Sequence, residues 1–336
     1  MKVVANILTL VVCLCTFSFG NDSITVDKII RLTETAYVAD IVQDSLGFIW
    51  IGSEEGILKH NSKYYKVYNT NNGLPESLSN RTNEIFIDSK NNIWAGLEKG
   101  ICIYNKELDK FDLIQNKNKI NPSLITSIDE DFEGNIWIGA FNGIWKYNLK
   151  TKELNQQKFK EPIETLVVSS NNVFFGTEKG LFYSNLQNFN TQKITLDSTI
   201  KSISNLSKIR NTIYAGTKSG IVFSLDLQKF NLGIIVNDFK YPIKDIIEDD
   251  KKNIYVATDG DGIFHLNSKN ELLNHSVQNS NNPSSISSNG VYDLEYNSNL
   301  SVYLDTRHIF VFQKDGDLLH AASYVEERQE EIKWQK

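Results

Sequence analysis

Residues 125–148 read ITSIDEDFEGNIWIGAFNGIWKYN. A short apolar run from Ile125 ends in an acid at Asp131, and a turn follows at Gly134 and Asn135. Two further strand-like pieces come next, IWIG (Ile136 to Gly139) and GIWKYN (Gly143 to Asn148), separated by Ala140, Phe141 and Asn142. Short β-rich runs punctuated by Gly and Asn are the pattern of antiparallel hairpins. Three strands therefore fit in about two dozen residues, near the usual strand length.

The stretch recurs along the chain. The position of Trp137 is matched by Trp50, Trp94, Phe174, Tyr214, Tyr255 and Tyr303, a period of about 42 residues, which lies in the range of propeller blades. Two residues on stands a glycine in five copies: Gly52, Gly96, Gly139, Gly176 and Gly216. A second follows four residues later at Gly56, Gly100, Gly143, Gly180 and Gly220, with Gly262 one residue late. The first glycine suits close backbone packing and the second a turn that a side chain would resist. The last copy, SVYLDTRHIFVF, keeps the strands and loses both glycines. Antiparallel units cannot stack end to end without leaving open edges, whereas a closed ring protects them. The repeat thus predicts an all-β fold, a seven-bladed β-propeller with four-stranded antiparallel blades.

The order of apolar run, Asp, turn, Asn-Ile-Trp-Ile-Gly, turn, Gly-Ile, aromatic, Asn resembles the two-component regulator propeller repeat of extracytoplasmic sensors in hybrid two-component systems. The resemblance covers about residues 35 to 315 and is sharpest around Trp50, Trp94 and Trp137. It implies a periplasmic or secreted sensor for a small-molecule or oligosaccharide ligand, carbohydrate fragments among them, without catalysis of its own. It also implies signalling through a kinase, here a separate membrane sensor kinase.

With 336 residues, 40% of them hydrophobic and 11% aromatic, the chain can bury a large core. A formal net charge of -6, with Lys and Arg scattered, provides no basic field for a nucleic acid. Met1-Lys2, the apolar run Val3 to Phe19, and Gly20 before Asn21 read as a secretory signal peptide over residues 1–20. The propeller is expected over 21–324, with Ile24 to Glu34 as a strand joining the two ends, and a charged tail over 325–336. After residue 20 no apolar run reaches membrane-spanning length. Cleavage leaves Cys102 alone between Ile101 and Ile103, a packing position rather than a nucleophile, and no cofactor motif is present.

Two surfaces are candidates for function. The turns between second and third strands fall together on one face of a ring, and loops on a rigid scaffold are where polar ligands are held. From these turns the ligand-binding candidates are Glu54, Glu55, Phe141, Asn142, Lys179, Lys218, Asp259, Asp261, Arg307 and His308. The second surface is a column on the inner strands, just before the central aliphatic residue: Asp40, Glu84, Ser127, Thr165, Ser202, Asp245 and Asp293. Facing a central channel, its carboxylates and hydroxyls are of the type that holds a hard cation such as calcium, or they line a hydrated pore. The TDGDG run, Thr258 to Gly262, lacks the spaced acids of a calcium loop and reads as a tight turn.

Two other functions stay open at this stage. Propellers host lyases and lactonases, and the nearest His/acid pair is His308 with Asp305. A structural interaction module using blade edges and Asn-rich loops is the third reading.

Overall fold

The computed structural model describes residues 38–323, apart from 62–64, 199, 238, 250, 283–284, 287, 298–299, 306–307 and 314–321. The expected signal peptide, the joining strand at 24–34 and the tail at 325–336 lie outside the described residues.

Among the described residues, twenty-eight strands follow in chain order. Blade 1 is β1 (Val38–Gln43), β2 (Ile49–Ser53), β3 (Gly56–His60) and β4 (Tyr65–Tyr68). Blade 2 is β5 (Thr82–Ile87), β6 (Ile93–Leu97), β7 (Gly100–Asn105) and β8 (Lys110–Ile114). Blade 3 is β9 (Ile125–Glu130), β10 (Ile136–Ala140), β11 (Gly143–Asn148) and β12 (Glu153–Gln156). Blade 4 is β13 (Thr165–Ser169), β14 (Asn172–Thr177), β15 (Gly180–Asn185) and β16 (Thr191–Lys193). Blade 5 is β17 (Ile203–Ile209), β18 (Thr212–Thr217), β19 (Val222–Asp226) and β20 (Asn231–Val236). Blade 6 is β21 (Ile243–Glu248), β22 (Ile254–Thr258), β23 (Ile263–Leu266) and β24 (Leu272–Ser276). The last sheet is β25 (Val291–Asn297), β26 (Leu300–Asp305), β27 (His308–Gln313) and β28 (Ala322–Ser323).

Each sheet is a four-stranded antiparallel meander of consecutive strands. The packing side chains of the six blades from β1 to β24 are largely described. For the sheet β25–β28 the strand pairing is described, with side chains only as far as Leu294. The inner strands β1, β5, β9, β13, β17, β21 and β25 abut in that order, and β25 returns to β1. The result is a propeller around a central channel.

The repeated Asp–turn–Trp motif builds the inner hairpin. Asp131 Oδ1 accepts the backbone N–H groups of Glu133 and Asn135, which fixes the turn, while Oδ2 accepts Trp137 Nε1 at 2.9 Å. Asp44 with Trp50 and Asp88 with Trp94 repeat the bond at 2.9 and 3.0 Å. In blade 6 the Tyr255 hydroxyl reaches Asp249 at 3.4 Å. A Trp that is fully buried between blades thus keeps its polar N–H satisfied, as buried indoles require.

Glycine serves the two purposes expected of it. A Cβ on Gly216 would stand 2.4 Å from Ile243 Cβ in the next blade, so the first glycine sets how closely blades approach. Gly220 has φ +83, and a Cβ there would lie 1.9 Å from the Phe239 carbonyl oxygen. The second glycine therefore lets the hairpin turn lie against the backbone entering the following blade. Cys102 is fully buried, its Sγ 3.7 Å from the Ala95 carbonyl, and burial pushes the thiol up.

Candidate functional site at the channel mouth

The inner strands carry two rings of side chains. The lower ring is the polar column: Asp40, Glu84, Ser127, Thr165 and Asn205 stand opposite the first glycine of their blades, Asp245 stands opposite Ala257, and Asp293 stands opposite Leu304, so the last copy is in register one residue earlier than its match at Tyr303 suggests. Ser202, expected here, does not belong to it. Ser202 sits before β17 at φ +49 and donates its hydroxyl to Glu178 at 2.7 Å, while Asn205 pairs with Gly216 and takes the column position. Blade 5 offers two aliphatic residues, Ile203 and Leu206, and the column precedes the second.

The column staples each blade to the next. Asp40 accepts the backbone N–H of Ile85, and Glu84 accepts Ile128 N at 3.4 Å. Thr165 Oγ1 accepts Leu206 N at 3.2 Å, and Asn205 Nδ2 donates to Asp245 Oδ1 at 3.2 Å. Asp245 accepts Leu294 N at 3.1 Å, and Asp293 accepts Ile41 N at 3.2 Å, which closes the circle between last sheet and first. At blade 3 the bond passes to Asp129, two residues beyond Ser127, which accepts Val168 N at 2.6 Å. Asp129 was not anticipated from the sequence, where the acids of IDEDF read as the end of a run. Because these oxygens are turned to neighbouring backbone, they do not converge as cation ligands. Among the described residues no group of three or more His, Cys, Asp or Glu is arranged to hold a metal ion.

Burial dominates the charge state of the column. It pushes the carboxyls of Asp129 and Asp245 up to about 6 against the lowering pull of their backbone N–H donors. Burial also raises Asp40 and holds Glu84 well above the ordinary value, with the neighbouring Asp40 charge adding to it. A group whose folded value lies above its unfolded one keeps its proton longer when folded. Its stabilising contribution is complete below the ordinary carboxylate value and is lost as pH rises through about 6. Asp129→Asn with Asp245→Asn is therefore expected to gain stability relative to the parent between pH 4 and 6, by on the order of 1 to 3 kcal/mol per group. Urea midpoints of both proteins at pH 4.5 and 7.5 check the sign.

The upper ring has a cause that the sequence does not display. In six sheets the pairing of inner and second strand slips by one residue immediately before the column. The extra residues are Ala39, Asn83, Thr126, Ser204, Lys244 and Tyr292, and Glu164 precedes the column in blade 4. A bulge re-aims its side chain, and all seven residues line one cavity of 370 Å³ together with the column. Thr126 and Ser204 donate to the Ile163 and Ile243 carbonyls of the next blade at 3.0 and 2.7 Å. Lys244 Nζ lies 3.2 Å from Asp259 and 4.6 Å above the Tyr292 ring, whose hydroxyl donates to Asp259 at 2.8 Å.

The turn residues anticipated as ligand contacts divide by position. Lys218 bonds to Glu164 at 3.1 Å and to Glu178, tying it to the cavity rim through Glu164, and Asp259 reaches the rim through Lys244 and Tyr292. Lys179 pairs outward with Glu161 at 2.8 Å, and Asp261 lies 3.5 Å from His275 Nε2. Glu54 and Glu55 are exposed, as is Phe141. Asn142 is structural: its Oδ1 accepts Ser123 N and Trp145 Nε1, and its Nδ2 donates to the Asn121 carbonyl. TDGDG is a tight turn, with Thr258 Oγ1 donating to the Gly262 carbonyl at 3.0 Å. Arg307 lies outside the described residues, and His308 is described only as the start of β27.

No family model matches the chain, and no curated protein matches it. Solved structures do. The extracellular domain of the putative one component system BT4673 from B. thetaiotaomicron is similar with a TM-score of 0.74 at 21% identity, over 85% of this chain and 39% of that one. The extracellular domain of the putative hybrid two component system BT3049 from the same organism gives 0.68 at 20% identity, over 80% and 39%. The computationally designed Ika8 protein gives 0.60 at 12% identity, over 85% and 86%. The fold is therefore that of these extracellular domains, and the chain spans about two fifths of their length.

Proposed function

We propose that this chain is an extracytoplasmic sensor propeller that binds a small polar ligand at the channel mouth and acts by binding, without turnover. The single observation that carries the reading is the ring of bulged residues, which aims chemically different side chains into one cavity while the column beneath holds the blades in place. Repetition alone makes a scaffold; variation at a repeated bulge makes a recognition surface. The likeness to extracellular domains of bacterial signalling systems supports an extracytoplasmic role, with the ligand state passed to a separate membrane kinase. In the closed seven-sheet ring that we adopt, ligand contacts made by several blades at once would stiffen the whole body.

Calorimetry and thermal shift with a panel of neutral oligosaccharides and their monosaccharides test the reading. A ligand at 100 times its Kd is expected to add about 2.7 kcal/mol of stability. Lys244→Ala, which frees Asp259 and uncovers Tyr292, is expected to weaken binding by about tenfold, a loss of roughly 1.4 kcal/mol. Binding untouched by Lys244→Ala and Tyr292→Ala would place the ligand elsewhere.

A second reading has its own observation. The outer strands β20 and β24 expose Ile234, Leu272 and Leu273 on neighbouring blades. Apolar groups on outer strands suit contact with a partner protein, and Ile234→Lys with Leu272→Lys would abolish partner capture while sparing ligand binding.

A further inference from the structure

The connection from blade 4 to blade 5 departs from the repeat. In blades 1, 3, 5 and 6 the backbone at or just past the fourth strand lies over the second glycine: a Cβ on Gly56, Gly143, Gly220 or Gly262 would clash with the carbonyl oxygen of Tyr68, Phe159, Phe239 or Ser276. In blade 2 the Leu78 side chain closes in on Gly100 at 3.0 Å. At Gly180 of blade 4 no backbone takes that place. Apart from its chain neighbours, the groups within 4 Å of such a Cβ among the described residues are Lys193 Cε at 3.4 Å and Nζ at 3.8 Å. The chain bonds back through Ile194 N to the Leu181 carbonyl at 2.9 Å, then swings away and turns at Asp197, whose carbonyl accepts Ile200 N at 2.9 Å. A flexible ammonium thus stands where four other blades put a rigid carbonyl, and a cavity of 600 Å³ opens between the glycine and the connection.

The walls of this cavity combine two chemistries. Ile194 and Ile200 are buried and Leu196 is half-buried, all three packed into the core shared by blades 4 and 5, so the floor is apolar. Three lysines, Lys179, Lys193 and Lys201, line the same cavity against the acids Glu178 and Asp197. Lys179 is matched by Glu161 at 2.8 Å. Glu178 is bonded by Lys218 and by the Ser202 hydroxyl at 2.7 Å, bonds that hold its carboxyl below the ordinary value. Lys193 and Lys201 are exposed and enter no ion pair among the described residues, with Lys193 Nζ 5.7 Å above the Phe182 ring. Two ammoniums therefore remain against the one carboxylate of Asp197, a surplus of a single positive charge beside an apolar floor. Exposed lysines are ordinary by themselves; these border a space that the repeat elsewhere fills. A concave apolar wall with a few charged groups at its edge is the usual form of a small-molecule site.

We infer that this cavity is a second binding site, apart from the channel mouth, for a small organic acid with an apolar body, its carboxylate met by Lys193 and Lys201 and its body laid on Ile194, Leu196 and Ile200. A monoanion matches the single surplus charge. A bare inorganic anion leaves the apolar floor uncovered, and a neutral molecule leaves the ammoniums unmatched. Lysine places a compact charge on a flexible stem, so both side chains can close over a carboxylate without the fixed fork that a guanidinium imposes. The inference goes beyond the reading at the channel mouth and does not depend on it.

Calorimetry on the full chain at pH 7.5 and low salt tests this with phenylacetate, octanoate, acetate, phenylacetamide and sodium sulfate. Phenylacetate or octanoate is expected to bind at least tenfold more tightly than acetate, which lacks the body, and than phenylacetamide, which lacks the charge. Lys193→Gln with Lys201→Gln is expected to weaken the better acid at least tenfold and to leave the urea midpoint unchanged, because both side chains are exposed. Lys251→Gln, at an exposed lysine of blade 6, controls for net charge and is expected to leave the affinity unchanged. Equal affinities for phenylacetate and phenylacetamide, or for sulfate and the two larger acids, overturn the assigned class. Binding that survives the double substitution overturns the site, and its loss in Lys244→Ala instead would put the acid at the channel mouth. Silence from every acid overturns the inference and leaves the reading at the channel mouth standing.

Discussion

Trp137→Ala is expected to destabilise the propeller by about 4 kcal/mol, the cost of emptying a large buried aromatic site. The indole is fully buried between blades 3 and 4, stacks on Phe189 at 5.9 Å, and lies 4.9 Å beneath Lys146 Nζ. It also donates to Asp131, a buried carboxylate that Lys146 approaches at 3.6 Å. Burial alone would raise Asp131, but the bonds from Trp137 and Asn135 outweigh it and hold the group below its ordinary value. Stability from Asp131 is thus present above the ordinary carboxylate value and lost as pH falls below it. Trp137→Phe keeps most of the packing and loses the N–H, so it is expected to cost about 1 to 2 kcal/mol, and its deficit should shrink below pH 4. Urea unfolding of the three proteins at pH 7.5 and 3.5 provides the comparison. Equal losses for Ala and Phe at pH 7.5 would contradict the packing argument.

Gly220→Ala is expected to cost more than about 3 kcal/mol, combining a strained backbone with a clash. Its φ of +83 is disfavoured for any side chain, and the new Cβ would stand 1.9 Å from the Phe239 carbonyl oxygen, which is backbone and has no rotamer to yield. Gly180 occupies the same place in the preceding blade at φ +120, yet the nearest atom to a Cβ there is Lys193 Cε at 3.4 Å, the far end of a flexible chain. Gly180→Ala therefore pays for the backbone alone, about 1 to 2 kcal/mol. Thermal unfolding of the two variants side by side isolates the clash, and similar losses would show that conformation outweighs close approach.

Much of the architecture was legible because a hairpin repeats its demands locally. The aromatic at Trp137 and the glycines at 139 and 143 are each fixed by neighbours a few residues away or in the next copy, so their recurrence reports the fold directly. The site was less legible for the opposite reason. A bulge adds a residue without changing composition, and nothing in Ala39, Asn83 or Lys244 announces that the strand slips there. Counting along strands without the slip led to Ser202 in place of Asn205, where Ile203 and Leu206 both offered themselves as the central aliphatic residue. Asn142 looked like a surface contact, yet its amide holds Ser123, Trp145 and Asn121, partners that only the folded turn brings near. Asp129 escaped notice because its partner, Val168 N, lies in the following copy.

The manner in which the circle closes has a consequence for the history of such chains. Every described sheet is completed from its own stretch of sequence, and the first and last meet through side-by-side contact and the bond from Ile41 to Asp293. A gene encoding this body could therefore duplicate or delete one module in frame and still yield whole sheets. The seam joining the two ends is also where such a change in circumference would be absorbed.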